Sequence, residues 1–444
     1  MDYYVIVRID QIRLKDFKGL EQFEQRLHPN FTVIVGDNGA GKTSILDALS
    51  VAMGSYLLGI PKAKPRHIQR HEARELVRFF ESGPDYKDYY PVEIEVTGTV
   101  LDHDTNQAIS LSWCRELISI KSRTTTRKAS KIKKIAESAY NKIQDGKDLN
   151  LPLLSYYGAS RSWNEPKDTK ADAKPSRFDA YRFSHDPKVS SADLIRWVRD
   201  QHLISLEGQN GDISTFAAWK EAVSGCFESP VNVRYSVKRG RLEICFRGHG
   251  GDGKKAVAFN NLSHGQRTII SMVGDIAYKA MKLNPHLGAD ALVKTSGIVL
   301  IDEIDLHLHP KWQRQIVGAL SEAFPKIQFV ATTHSPFIIQ SLKKGMVVNL
   351  DTKEVESEAY NLAIEDIAES IQLVEMPQRS EKHRQLMEAS SQYYQLLEKA
   401  KGESNKEALD DKRRKLDEIM EDFADNPAAA AMLKFNRLAS GIDK

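Results

Sequence analysis

Gly36-Asp37-Asn38-Gly39-Ala40-Gly41-Lys42-Thr43 decides the reading of this chain. It fits G-x-x-x-x-G-K-[ST], the pattern of a loop that cradles phosphate. Its surroundings fit as well. Phe31-Thr32-Val33-Ile34-Val35 is a short apolar run that predicts a buried strand. Beyond the loop, over residues 44–56, Ile45, Leu46, Ala48, Leu49, Ala52 and Met53 recur at helical spacing. A strand, a glycine-rich turn and a helix together aim backbone N–H groups and a helix dipole at an anion. Gly36, Gly39 and Gly41 let the backbone approach phosphate with no Cβ in the way, and Asp37, Asn38 and Ala40 complete the loop. Lys42 is placed to reach the β- and γ-phosphates, the Thr43 hydroxyl to ligate Mg²⁺, and Ser44 closes the binding set. ATP and Mg²⁺ are the expected cofactors.

Three later segments extend the site. Gly297-Ile298-Val299-Leu300-Ile301 is a continuous apolar run, as expected of a strand buried on both faces, and Asp302-Glu303 follows it. Open α/β sheets bind ligands beyond the carboxyl ends of their strands. Asp302 therefore reads as the Mg²⁺ carboxylate, and Glu303 as the base that orients or deprotonates the attacking water. Residues 328–332 predict another strand, with Thr333-His334-Ser335-Pro336 beyond it. His334 is placed to bond the γ-phosphate and sense its loss. A lone histidine after a strand is ordinarily structural; the Thr-His-Ser-Pro setting reverses that reading. His307 and His309 invite a metal reading, but no third ligand accompanies them. The remaining segment is Leu262-Ser263-His264-Gly265-Gln266.

The four segments, in this order, resemble an ATP-binding-cassette (ABC) ATPase. Leu262–Gln266 stands where that class has its signature. Asp302-Glu303-Ile304-Asp305-Leu306-His307-Leu308-His309-Pro310 is similar to the D-E-P-E-x-H-L-H-P stretch of the RecF and overcoming-lysogenization-defect ATPases. Residues 9–20, ending in Phe17-Lys18-Gly19-Leu20, resemble the opening strand and turn of the same class. The resemblance is specific over residues 1–60 and 255–345. It implies an α/β fold: an ABC ATPase head, with a P-loop NTPase sheet, a flanking antiparallel sheet and a helical lobe, plus a C-terminal helical extension. It also implies a homodimer or higher homo-oligomer that sandwiches ATP. The phosphate loop, Asp302, Glu303 and His334 of one copy would meet Ser263 and Gly265 of the other, with Gln266 counted among the nucleotide-binding residues.

Within that class the length, the signature, Tyr156-Tyr157-Gly158-Ala159-Ser160-Arg161 and a helical tail are similar to the PtuA ATPases of Septu-type anti-phage systems, including their retron-associated version. That resemblance implies a separate HNH-type nuclease partner, and in the retron form a reverse transcriptase with RNA-linked DNA. The alternative is a RecF-like repair or loading ATPase acting directly on DNA. Two features depart from the pattern. His264 stands where the class usually has Gly or Asp. The glutamine that normally links Mg²⁺ to the helical lobe has only Gln107 and Gln144 as candidates, by elimination.

Composition sets the bounds. The chain has 444 residues, 41% hydrophobic and 28% charged, in the range of an ordinary globular protein. A net charge of +3 is too small to argue nucleic-acid binding by itself. Cys114, Cys226 and Cys245 form no metal or disulfide spacing, so a cytoplasmic protein is expected. No apolar run approaches the ~18 residues of a membrane span, and no signal peptide is expected. We divide the chain at 1–114 (ATPase lobe I with P-loop and antiparallel sheet), 115–230 (helical and basic insert), 231–350 (lobe II with signature, Walker B and switch histidine) and 351–444 (C-terminal helical extension).

Several local expectations follow. Residues 92–100 alternate as a half-buried strand does, and residues 108–113 pair with them. Residues 231–237 and 242–246 form a hairpin about Arg239-Gly240. The run from Lys121 to Lys134 holds seven Lys/Arg and no acid. It would support at most non-specific nucleic-acid backbone contact; such runs are ordinarily solvated faces. Residues 61–78 add Lys62, Lys64, Arg66, Arg70, Arg74 and Arg78. In the tail, an apolar stripe from Leu386 to Phe423 suits either a helical hairpin or a docking surface. No nuclease metal set is evident there, so the chain is expected to carry no nuclease site of its own.

Overall fold

A computed structural model describes residues 7–61, 63–81, 83–161, 176–185, 192–206, 213–227, 229–246, 255–374 and 414. Two compact units divide the chain, residues 1–364 and 365–444. The tail stripe from Leu386 to Phe423 lies outside the described residues.

The first unit begins with β1 (Val7–Phe17), β2 (Leu20–Arg26) and β3 (Phe31–Val35), followed by α1 (Lys42–Leu57). A hairpin, β4 (Glu75–Phe80) and β5 (Gly83–Asp88), precedes β6 (Val92–Asp102) and β7 (Gln107–Leu117). Then come α2 (Ser130–Gln144), β8 (Leu153–Tyr157), α3 (Ala192–Leu206) and α4 (Ile213–Ser224). A small sheet, β9 (Val231–Ser236), β10 (Arg241–Phe246) and β11 (Lys255–Ala258), leads into α5 (His264–Leu283) and the single turn α6 (Ala291–Lys294). The unit is completed by β12 (Gly297–Ile301), α7 (Pro310–Ala323), β13 (Ile327–Thr332), α8 (Pro336–Gln340), β14 (Met346–Asn349) and β15 (Val355–Glu356).

The core is a six-stranded sheet in the order β15-β14-β3-β13-β12-β8. All its neighbours are parallel except the β14–β15 pair. Every residue of β3, β8, β12 and β13 is buried, as expected of parallel strands covered on both faces. A second, antiparallel sheet runs β2-β1-β6-β7. Its β6–β7 pairing spans Val92↔Leu117 to Asp102↔Gln107, the hairpin the alternation predicts. The β9–β10 hairpin is also present, turning through Gly240 in the left-handed region.

One buried amide joins the two sheets. The register of β1 on β6 slips between Ile9 and Gln11. There the Gln328 side chain of β13 accepts from Ile9 N at 3.0 Å and donates to Ile9 O at 2.7 Å and to His28 O at 3.0 Å. The bulge frees a backbone N–H and C=O, and the amide satisfies both.

Two sequence expectations need correction. The stretch 115–230 is not a helical insert throughout, because β8 lies within it and completes the core sheet beside β12. β15 also pairs within the core sheet, so the first unit continues to Ile364, past the boundary at 350.

The basic runs are partly absorbed by the fold. In α2, Ile132, Ile135, Ala136 and Ala139 face inward. Lys128 pairs with Glu116 and Lys133 with Glu137, while Lys121, Arg123, Arg127, Lys131 and Lys134 are exposed. Arg66 pairs with Asp47 and Glu72, and Arg74 with Asp16 and Glu21. Among the described residues no helix is long and apolar enough to cross a membrane.

Candidate ATP site

The site forms where parallel strands end on one edge of the core sheet. β3 ends at Val35, and residues 36–41 turn into α1 with Gly36, Gly39 and Gly41 at φ 148°, 90° and 99°. Gly41 is the N-cap of α1 in the left-handed region that favours glycine. A Cβ there would meet Leu20 at 3.2 Å, so the Phe17-Lys18-Gly19-Leu20 turn packs directly on the phosphate loop. That turn is anchored from below: Lys18 pairs with Asp47 on α1, and Asp47 also pairs with Arg66.

The helix places its functional groups within its first turn. The Lys42 ammonium donates to Gly36 O at 2.7 Å and Asp37 O at 2.9 Å, spanning the loop that phosphate would fill. Burial lowers the Lys42 ammonium below its usual range, against the opposing pull of Asp351, Asp302, Asp37 and Glu303. The Thr43 hydroxyl donates to Asp302 Oδ2 at 3.0 Å. Asp351 holds the loop from its other side, its Oδ2 accepting from Asp37 N at 2.7 Å. No sequence motif marks Asp351; only the parallel pairing of β14 on β3 carries it there.

Asp302 and Glu303 sit at the end of β12 and are fixed by their neighbours. Asp302 N donates to Tyr157 O at 2.8 Å. Thr332 at the end of β13 donates its hydroxyl to Asp302 Oδ1 at 2.6 Å, and the Thr332 Oγ1 accepts from Glu303 N at 2.8 Å. Glu303 has φ 48°, an uncommon conformation for a residue with a long side chain. Arg161, just beyond β8, donates to the main-chain oxygens of both Asp302 and Glu303.

His334 is exposed on this edge, between two buried and anchored residues. Thr333 donates its hydroxyl to Asp305, and Ser335 caps α8 while donating to Gln313 Oε1 at 2.7 Å. The backbone on either side of the imidazole is thereby fixed.

The signature segment lies at the start of α5. Ser263 is its N-cap, and a reciprocal capping box joins Ser263 and Gln266 at 3.2 Å in both directions. Gln266 thus has a structural use within its own chain. Gly265 is buried within the chain: a Cβ would lie 2.5 Å from His307 O and 3.0 Å from the Trp312 ring. The His264 ring lies 5.4 Å from the His307 ring. His309 caps α7, its Nδ1 accepting from Lys311 N. The Asp305–Pro310 stretch therefore supports the signature and starts a helix.

The structure brings the phosphate loop, Lys42, Thr43, Asp302 and Glu303 together, with His334 on the same edge. It does not support the two glutamine candidates. Gln107 opens β7 in the antiparallel sheet and Gln144 ends α2. The segment that emerges beside Asp302 is Gly158–Arg161, because β8 pairs in parallel with β12 up to Tyr157↔Ile301. Sequence reasoning noted these residues for their resemblance but gave them no role.

Residues 11–209 match the family described as AAA domain, and residues 120–340 match AAA domain, putative AbiEii toxin, Type IV TA system. Over these residues the chain is similar to ATPase domains, and it resembles the retron ATPases and Septu PtuA. The Septu protein PtuA of Bacillus mycoides (strain KBAB4) is 51% identical over 359 residues, 79% of this chain and 41% of that protein. The "Retron Vc95 probable ATPase" of Vibrio cholerae serotype O1 biovar El Tor is 26% identical over 392 residues, 77% of this chain and 73% of that protein. The "Retron Ec83 probable ATPase" of Escherichia coli is 26% identical over 406 residues, 76% of this chain and 70% of that protein.

Proposed function

We propose that the chain is an ATP-hydrolysing switch that closes as a dimer around nucleotide and controls a separate nuclease in anti-phage defence. The observation that carries the catalytic part is the Thr43–Asp302 contact, which links the first turn of α1 to the end of β12. Both are hard oxygen donors, the kind Mg²⁺ prefers, and they adjoin the loop that takes the phosphates. Mg²⁺ held there would neutralise developing charge on the β- and γ-phosphates. Glu303 would take the proton of the attacking water, and Lys42 would bind the phosphates. His334 would contact the γ-phosphate and report its loss.

The dimer is supported by the signature. Ser263 and His264 are exposed while Gly265 is buried on its own protomer's His307 and Trp312. The Ser263 end of α5 is thus rigidly held and presented outward, as a surface that completes a neighbour's site would be. Closure would follow γ-phosphate binding, and hydrolysis would remove that contact. Likeness to Septu PtuA and the retron ATPases supports the partner reading: an HNH-type nuclease, and in a retron setting a reverse transcriptase with RNA-linked DNA.

The test is Glu303→Gln. The variant is expected to bind ATP as the wild type does and to lose ~10²–10⁴ in turnover, the usual cost of losing a general base. Native co-purification then identifies the partner. Unchanged turnover in the purified variant would end the catalytic assignment.

A further inference from the structure

We propose that Arg161 is the positioning residue of the hydrolytic base: its guanidinium holds the Asp302–Glu303 main chain in the turn that aims the Glu303 carboxylate. This rests on the reading of Glu303 as the base.

Arg161 is buried, with 8% of its surface exposed, in the segment that follows β8. Its Nη1 donates to Asp302 O at 2.6 Å and to Gly158 O at 3.0 Å, and its Nη2 donates to Glu303 O at 2.9 Å. One planar fork therefore spans two consecutive carbonyls of the β12 terminus and ties them to the start of its own loop. A guanidinium suits this task because its donors are fixed in one plane; an ammonium on a flexible stem cannot hold two carbonyls in register.

The held conformation needs holding. Glu303 at φ 48° lies in the left-handed region, which is strained for such a residue and persists only where the surroundings enforce it. Arg161 takes the carbonyl side of the turn. Thr332 takes the amide side, accepting from Glu303 N at 2.8 Å with its hydroxyl and from Ile304 N at 2.9 Å with its carbonyl. A carboxylate on a relaxed turn would leave its path to the water, and a displacement of about 1 Å can cost ~10²-fold in rate.

Burying the cation is itself costly. Burial lowers the Arg161 pKa from its ordinary value, with Asp302, Glu303 and Asp305 opposing that shift. A buried guanidinium with its two Nη groups on main-chain oxygens fits a structural clamp on the catalytic turn.

The experiment measures turnover and nucleotide affinity for Arg161→Lys, alone and in the Glu303→Gln background, using single-turnover assays with radiolabelled ATP to read slow rates. In otherwise wild-type protein, kcat is expected to fall ~10–100-fold while KM and the affinity for Mg-free nucleotide stay within about 3-fold. In the Glu303→Gln background, Arg161→Lys is expected to add little, because the group it positions is gone. Wild-type turnover in Arg161→Lys would overturn the proposal. So would an affinity loss as large as the kcat loss, or an undiminished effect in the Glu303→Gln background. If Glu303→Gln alone leaves turnover intact, the base assignment fails first, and that result is distinct from the others. Should Arg161→Lys not fold, Thr332→Val reads the opposite side of the clamp: lower kcat with Mg-free nucleotide affinity retained supports it, and unchanged kcat overturns it.

Discussion

The Thr43 hydroxyl donates to the Asp302 carboxylate at 3.0 Å across 259 positions of sequence. The contact exists because β3 and β12 flank β13 in one parallel sheet, so both strands deliver their next residues to the same edge. Asp302→Asn keeps an acceptor for the hydroxyl but removes the charge. Nucleotide affinity without Mg²⁺ should be retained, and the gain in affinity on adding Mg²⁺ should disappear. Titrating a fluorescent ATP analogue with and without Mg²⁺ reads both quantities. A variant that Mg²⁺ still tightens would remove Asp302 from the metal site.

A second prediction concerns stability beneath the loop. The Asp47 carboxyl is pushed up by burial, yet Arg66 and Lys18 hold it below its usual range. Arg66 also pairs with Glu72, whose side chain is 1% exposed. Arg66→Met would leave the buried Glu72 carboxylate with Lys18 at 3.6 Å as its remaining cation among the described residues, beside the Gln69 N–H. Removing one partner of a buried pair costs about 3–5 kcal/mol, so the urea midpoint should drop clearly. An unchanged midpoint would show that water reaches the cluster.

A third prediction concerns pH. His185 is buried under α1 with Nδ1 2.9 Å from Ser50 Oγ, and burial together with Arg66, Lys279 and Arg115 pushes it down to about 3. The unfolded chain takes up that proton below about 6.5, whereas the folded chain does so only near 3. Its contribution to stability is therefore present above about pH 6.5 and is lost as pH falls toward 3. His185→Gln keeps a polar group for Ser50 and removes the titration. Denaturation midpoints taken near pH 7 and near pH 5 should differ less in the variant than in the wild type. Equal differences would mean that His185 is hydrated or already charged in the fold.

Much of this site was legible in the sequence because its chemistry is local. The phosphate loop is one turn between a strand and a helix, and its glycines, Lys42 and Thr43 act within eight residues. Asp302 and Glu303 end a run of five apolar residues, which suffices to place them at a strand end. The rest depends on pairing between distant segments. Leu153–Tyr157 is only five residues long and lies between polar stretches, so nothing nearby says that it pairs with Gly297–Ile301. Arg161 and Asp351 acquire their positions from that kind of pairing, and Gln328 from a bulge in β1. The Lys121–Lys134 run shows the opposite limit: charge alone did not reveal that its end opens a helix, α2, that buries Ile132, Ile135, Ala136 and Ala139.

The central claim is that the catalytic site is shared between two copies, with Glu303 from one and Ser263 from the other. The most direct measurement is steady-state ATP turnover in an equal mixture of Ser263→Arg and Glu303→Gln proteins after subunit exchange. Each variant alone should be nearly inactive. In the mixed dimer both lesions fall in one site and the other is intact, so turnover should return in part. A mixture that exchanges subunits freely and stays inactive, or Ser263→Arg protein that turns over like the wild type, would contradict the account.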